Sequence, residues 1–69
     1  MPFKEGDRLC WIDRSDGSVI HGSGWVIVKH VREDGWVHLG SQYVPEGVRG
    51  RFYYDPSRMR LCDENLKLI

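Results

Sequence analysis

The chain has 69 residues, of which 41% are hydrophobic, and ten lysines and arginines balance ten acidic residues. This length fits one domain, residues 1–69, near the lower limit for a core without disulfides or metal. Zero net charge excludes a strong overall attraction to nucleic acid or anionic membranes, and no apolar run approaches the roughly 20 residues of a membrane span. We expect a core made from a few of the three tryptophans, three tyrosines and two phenylalanines.

The first half of the chain predicts short strands separated by polar loops. Residues 9–12 (LCWI) form a short apolar run that predicts the first strand. Residues 13–24 are polar and rich in glycine and serine, which predicts a long loop that folds back as an irregular hairpin. Residues 25–31 (WVIVKHV) are rich in β-branched side chains and predict the strongest strand of the chain.

A tight hairpin is predicted at the centre of the chain. The pair Asp34-Gly35 separates two strand-like runs, and glycine accepts the positive φ that such a turn requires. Residues 36–39 should therefore pair antiparallel with the strand before the turn, with His30 and His38 opposite or diagonal across it. The side chains of the second strand should alternate between two faces, with Val37 and Leu39 on one and Trp36 and His38 on the other.

The second half predicts two more strands. Residues 40–50 form a loop with a turn at residues 45–47, and residues 51–54 (RFYY) predict a fourth strand. A proline-containing turn or 3₁₀ segment at residues 55–57 should precede a fifth strand, residues 59–62, and the last residues should add an edge segment or pack against the rest. No apolar pattern of helical period extends over an ordinary helix length. The sequence therefore predicts an all-β fold with five strands.

Two cysteines, Cys10 and Cys62, are too few for a disulfide scaffold, and residues after Met1 show no cationic and apolar signal segment. We therefore expect a cytoplasmic protein with two reduced thiols. Pairing of the first and last strands would bring the cysteines close together.

Two short motifs resemble those of small barrels. Residues 3–9 (FKEGDRL) resemble the opening of Tudor, agenet and KOW-type domains, and residues 55–59 (DPSRM) are similar to the turn before the last strand of SH3 domains. The resemblance implies an SH3-like five-stranded small barrel. The acidic first loop and aromatic motif of SH3 domains that bind proline-rich peptides are lacking, so the resemblance does not imply that ligand.

The main candidate site is the segment of residues 49–60, which carries a local charge of +3 because four arginines accompany only Asp55. Arginine forks suit phosphate or carboxylate groups, and neighbouring rings can stack on a ligand. On an extended strand, Arg49, Arg51 and Tyr53 would share one face, with Phe52 and Tyr54 toward the core. Alternatively, the arginines pair with Asp55, Asp63 and Glu64 and bind nothing. The predicted binding residues are Trp36, Tyr43, Arg49, Arg51, Tyr53, Arg58 and Arg60.

Other site types have less support. Trp11, Trp25 and Trp36 would be the rings of an aromatic cage for a methylated ammonium if they converged, as the Tudor resemblance implies. His21, His30 and His38 match no compact zinc pattern with the cysteines, so we expect no metal, and a pH-sensitive His30/His38 pair is the favoured consequence of their proximity. No catalytic motif is present, and we expect neither enzyme activity nor a cofactor.

We therefore predict a recognition module that docks on another protein and acts as a free-standing regulator, adaptor or inhibitor. The alternative is a barrel that binds RNA or DNA. The arginines and aromatic residues favour this alternative, whereas the zero net charge speaks against it. A second alternative is a structural or enzymatic homo-oligomer. No membrane partner is expected.

Overall fold

The computed structural model describes residues 3–69 as two small antiparallel sheets. Strands β1 (Arg8–Trp11), β2 (Trp25–Ile27) and β5 (Met59–Leu61) form one sheet in the order β2-β1-β5. Strands β3 (His30–Val31) and β4 (Val37–His38) form the other. The remaining regular elements of this part of the chain are three 3₁₀ turns, His21–Ser23, Glu46–Val48 and Pro56–Arg58, and none is long enough to cross a membrane.

The strand predicted over residues 25–31 pairs with two different strands, one along each half. Its first part pairs with β1, and the backbone N–H of Val28 donates to the carbonyl of Asp7 at 2.9 Å. Its second part pairs with β4, and the N–H of Lys29 donates to the carbonyl of His38 at 2.8 Å. The run therefore connects the two sheets, which is how a strand makes a corner between packed sheets.

One hydrophobic core lies between the two sheets. Trp11 is 1% exposed and packs edge-on against the ring of Tyr54, with centroids 5.4 Å apart. The predicted alternation in β4 is confirmed, because Val37 and Leu39 are buried whereas Trp36 and His38 are half-buried on the outer side. The core residues are Leu9, Trp11, Val26, Val28, Val37, Leu39, Val48, Tyr54 and Met59.

The loop and terminal segments also fold back as predicted. Ile12 and Val19 form an isolated antiparallel bridge across the early loop, which makes residues 13–18 an irregular hairpin. At the other end, Cys62 and Leu68 form a similar bridge, so the last residues extend the sheet along β5.

The strand predicted at residues 51–54 is wrong. Gly50 has a φ of +85°, residues 52 and 53 lie in a bend, and only Tyr54 pairs, through an isolated bridge to Val37. The left-handed backbone at Gly50 precedes this bend, and pairing with β4 is limited to the one bridge. As a consequence, Phe52 does not enter the core: its side chain is 67% exposed.

The prediction of two reduced thiols is also wrong, because Cys10 and Cys62 form a disulfide with their Cα atoms 5.8 Å apart. The pairing of β1 with β5 explains this contact, since the N–H of Cys62 donates to the carbonyl of Arg8 at 3.1 Å. Disulfides persist mainly in oxidising compartments. The inference of a cytoplasmic location, which depended on free thiols, is therefore no longer supported.

Hydrogen-bonded pairing between the described residues leaves the two sheets separate and does not close them into a barrel. What the structure shows is a strand-rich fold with short antiparallel sheets and no α-helix between residues 3 and 69.

Candidate recognition surface

The outer side of the β3–β4 hairpin carries a group of clustered rings, which we call the aromatic face: His30, His38, Phe52 and Tyr53. The ring of Phe52 lies 4.2 Å from that of His38 and 5.2 Å from that of Tyr53, centroid to centroid. Tyr53 is also 5.6 Å from His38 and 6.4 Å from His30. Three separate segments of the chain thus contribute to one partly exposed surface.

The local sequence explains this placement. The two-strand register sets His30 directly opposite His38, as predicted, and Gly35 makes the turn with a φ of +93°. Because residues 52 and 53 bend rather than extend, both of their rings reach the outer side of β4 while Tyr54 alone enters the core. His30 is further held by Glu5, whose carboxylate lies 3.4 Å from the ring nitrogen Nδ1.

Arg32 extends the aromatic face with a fixed positive charge. Its guanidinium carbon lies 4.7 Å from the centroid of the Tyr53 ring and 5.7 Å from that of Trp36, in cation–π geometry. Asp34 accepts two hydrogen bonds from it, at 3.0 and 2.6 Å. This pair raises the pKa of Arg32, and the same bonds, with one from the Trp36 N–H, lower the pKa of Asp34. The cation is therefore held in place between two rings.

Beside Trp36 lies a second feature, a cleft of about 140 Å³ that we call the arginine cleft. Arg14 comes from the early loop, and its guanidinium nitrogen lies 3.9 Å from the carboxylate of Asp55. Hydrogen bonds from the backbone N–H and the side chain of Ser57 lower the pKa of Asp55, so this carboxylate stays charged. The lining residues are Arg14, Trp36, Val48, Arg51, Tyr54, Asp55 and Arg58.

The predicted binding residues do not form one surface. Trp36, Arg51 and Arg58 line the arginine cleft, and Tyr53 belongs to the aromatic face. Arg60 lines a different groove of about 440 Å³, together with Phe3, Pro56, Ser57, Met59, Leu61 and Ile69. Arg49 is exposed after the turn Glu46–Val48, and Tyr43 is 61% exposed in the preceding loop.

The alternative in which these arginines are neutralised finds little support in the structure. The ion pairs found between residues 3 and 69 involve other basic groups, namely Lys4, Arg14, His30 and Arg32. Asp55 pairs with Arg14 instead, and Asp63 accepts hydrogen bonds from the backbone N–H groups of Asn65 and Lys67.

The three tryptophans lie in different environments and form no shared cage. Trp11 is in the core, and Trp36 borders the arginine cleft. Trp25 is 41% exposed on the opposite side of the three-stranded sheet, with the guanidinium carbon of Arg8 4.7 Å above its ring. In the part of the chain that is described, no group of three His, Cys, Asp or Glu side chains could hold a metal ion.

The predicted binding residues lacked five members of this surface: Arg14, Arg32, Phe52 and the histidines His30 and His38, which were predicted only as a pH-sensitive pair. Arg32 and Asp34 did carry a signal, since a basic and an acidic residue two positions apart at a hairpin turn can pair. Arg14 carried none, because its position depends on how the early loop packs.

Comparisons with known protein families, curated proteins and solved structures gave no match.

Proposed function

We propose that this protein is a non-enzymatic recognition module that binds another protein through the aromatic face and the adjoining arginine cleft. The observation that carries the proposal is the Phe52 ring, which is two-thirds exposed yet packed against His38 and Tyr53. Rings held in this way lose little freedom when a partner covers them. A regulator, adaptor or inhibitor is the role we infer for a module of this size.

The energetics of the surface support protein binding. A phenylalanine side chain can bury about 150–250 Å², so covering the exposed part of Phe52 would give a gross hydrophobic gain of about 3 kcal/mol at roughly 25 cal/mol per Å², from which the costs of association are subtracted. Aromatic residues and arginine are enriched at the energetic centres of protein interfaces. Phe52, Tyr53, Trp36 and Arg32 lie together in that combination.

We further propose that the two sheets are an open form of the SH3-like small barrel. Two observations support this architecture. The run from β2 to β3 passes from one sheet to the other, and the 3₁₀ turn Pro56–Arg58 precedes the last strand.

Photo-crosslinking tests the proposed function directly. A p-benzoylphenylalanine placed at Phe52 should form covalent adducts with a protein when the oxidised chain is irradiated in a lysate of its native host, and nuclease treatment should not change them. The matched control carries the same group at the exposed position Glu64. Equal adducts from both positions, or none from position 52, would contradict the proposal.

Single-stranded nucleic acid is the second candidate, favoured by the clustered rings of the aromatic face and by Arg51 and Arg58, which are in no ion pair within residues 3–69. Bases stack on such platforms, whereas the zero net charge weakens affinity for phosphate chains. Nuclease-sensitive adducts from position 52, with binding that falls steeply as salt rises, would favour this candidate. Binding that survives salt and fails in Trp36→Ala favours a protein.

A further inference from the structure

We propose that the arginine cleft binds a phosphate monoester carried by the partner protein. This inference rests on the proposed function and names the chemistry that the cleft would recognise. Three arginines, Arg14, Arg51 and Arg58, line a space of about 140 Å³ whose lining includes a single acidic residue, Asp55. The larger groove that contains Arg60 has that single arginine in its lining.

The three arginines are not equivalent. Arg14 is already fixed, because its guanidinium lies 3.9 Å from the Asp55 carboxylate and 3.5 Å from the Ser57 hydroxyl. Arg51 and Arg58 take part in none of the ion pairs between residues 3 and 69. The charge of Arg58 acts on Asp55 without a direct ion pair, so both guanidinium groups can donate hydrogen bonds to a ligand. The cleft thus combines a fixed charge with two guanidinium groups that can each donate paired hydrogen bonds.

Charge selects the monoester among oxyanions. Three arginines and one aspartate give the cleft a local charge of +2, which matches a phosphate monoester of about −1.5 to −2 at neutral pH. A carboxylate or a phosphodiester carries a single negative charge and would leave one positive charge unmatched. Buried Val48 and Tyr54 form apolar walls, which strengthen the attraction by keeping water away from part of the site.

The position of the cleft connects it to the aromatic face. Trp36 lines the cleft and also contacts Arg32, whose guanidinium covers Tyr53. A phosphorylated side chain in the cleft would therefore place the neighbouring residues of the partner over the rings. Specific recognition would need both surfaces.

Titration with small probes, followed by NMR, tests the site without knowledge of the partner. The oxidised protein, labelled with ¹⁵N, is titrated with phenyl phosphate at about 0.15 M salt and pH about 7.5, above the second phosphate pKa of about 6. The indole N–H resonance of Trp36 reports on the cleft. We expect a saturable shift with a Kd in the millimolar range, as suits so small a ligand. Inorganic phosphate should shift the same resonance, whereas benzoate and dimethyl phosphate should bind about tenfold more weakly.

Matched arginine variants locate the binding. Arg51→Gln and Arg58→Gln should each weaken phenyl phosphate about tenfold, the usual effect of losing a hydrogen bond to a charged group. Arg60→Gln removes the same charge from a residue that does not line the cleft and should change the Kd by less than about twofold, since salt screens exposed charges that do not touch the ligand. Unchanged spectra elsewhere would show that each variant folds.

Three results would overturn the inference: no shift at Trp36, equal binding of dimethyl phosphate, or equal weakening by Arg60→Gln. Equal binding of dimethyl phosphate would show that the cleft does not select a monoester and would favour a phosphodiester, the group found in the nucleic-acid backbone, over a phosphorylated side chain. The proposed function is tested separately, because crosslinking from position 52 does not depend on the cleft. Protein adducts without phosphate binding would leave the proposed function standing and remove only the phosphate site.

Discussion

The Cys10–Cys62 disulfide should supply a large share of the stability of this fold. It closes a loop with a sequence separation of 52 residues. In the chain-entropy treatment, a loop of this length removes about 14 cal/mol/K from the unfolded ensemble, which is worth about 4 kcal/mol at 25 °C. Domains are stable by roughly 0.05–0.15 kcal/mol per residue, so a chain of this size has only about 3–10 kcal/mol in total. Without the bond, the protein should be marginally folded.

The test compares the oxidised protein, the protein reduced with a thiol, and the double variant Cys10→Ala/Cys62→Ala. Equilibrium urea unfolding, followed by circular dichroism and tryptophan fluorescence, should give a free energy of unfolding about 4 kcal/mol lower for both altered forms. The corresponding fall in Tm is about 15–30 °C for a domain of this size. If reduction changed the free energy of unfolding by less than about 1 kcal/mol, the loop-closure reasoning would be refuted.

Three further predictions concern a buried core residue, a glutamine side chain that connects two segments, and the aspartates at the turns. Trp11→Ala should lower the free energy of unfolding by about 3–5 kcal/mol because the ring is fully buried, and an unchanged urea midpoint would contradict this. The side chain of Gln42 accepts a hydrogen bond from the Ile27 N–H and donates to the carbonyls of Ile27 and Leu39. Because a carboxylate cannot donate, Gln42→Glu should lower the free energy of unfolding by about 2 kcal/mol at neutral pH, with Gln42→Met as the control. Hydrogen bonds lower the pKa of four aspartates: Asp13 through Ser15, Asp34 through Arg32, Asp55 through Ser57 and Asp63 through Lys67. These carboxylates stabilise the fold above their unfolded pKa of about 3.9, and this stabilisation is lost as the pH falls through their lower folded pKa values. The urea midpoint should therefore decrease below about pH 4. A constant midpoint down to pH 2 would contradict this prediction.

Local signals in the sequence predict much of the fold. Asp34-Gly35 predicts the β3–β4 hairpin and the opposition of His30 and His38, because turn geometry fixes the register. The turn Pro56–Arg58 follows from a proline at its first position and from Asp55, whose side chain accepts from the N–H of Ser57. These features depend on residues close together in the chain.

The features that the sequence did not predict depend on contacts between distant segments of the chain. The residue pattern RFYY at 51–54 fits a strand, but only Tyr54 pairs, with the distant Val37, and residues 52 and 53 bend instead. The disulfide depends on the pairing of β1 with β5 over 52 residues. The sequence predicts that the early loop folds back, but no local pattern encodes the packing that brings Arg14 from this loop to Asp55 in the arginine cleft.

The central claim is that three segments of the chain form the aromatic face before any partner binds. Nuclear Overhauser contacts in the free, oxidised protein test it most directly. The ring protons of Phe52 should show contacts to the imidazole protons of His38, whose centroid is 4.2 Å away, and to the ring of Tyr53 at 5.2 Å. Absence of the contacts between Phe52 and His38, together with random-coil shifts for the Phe52 ring, would contradict the account.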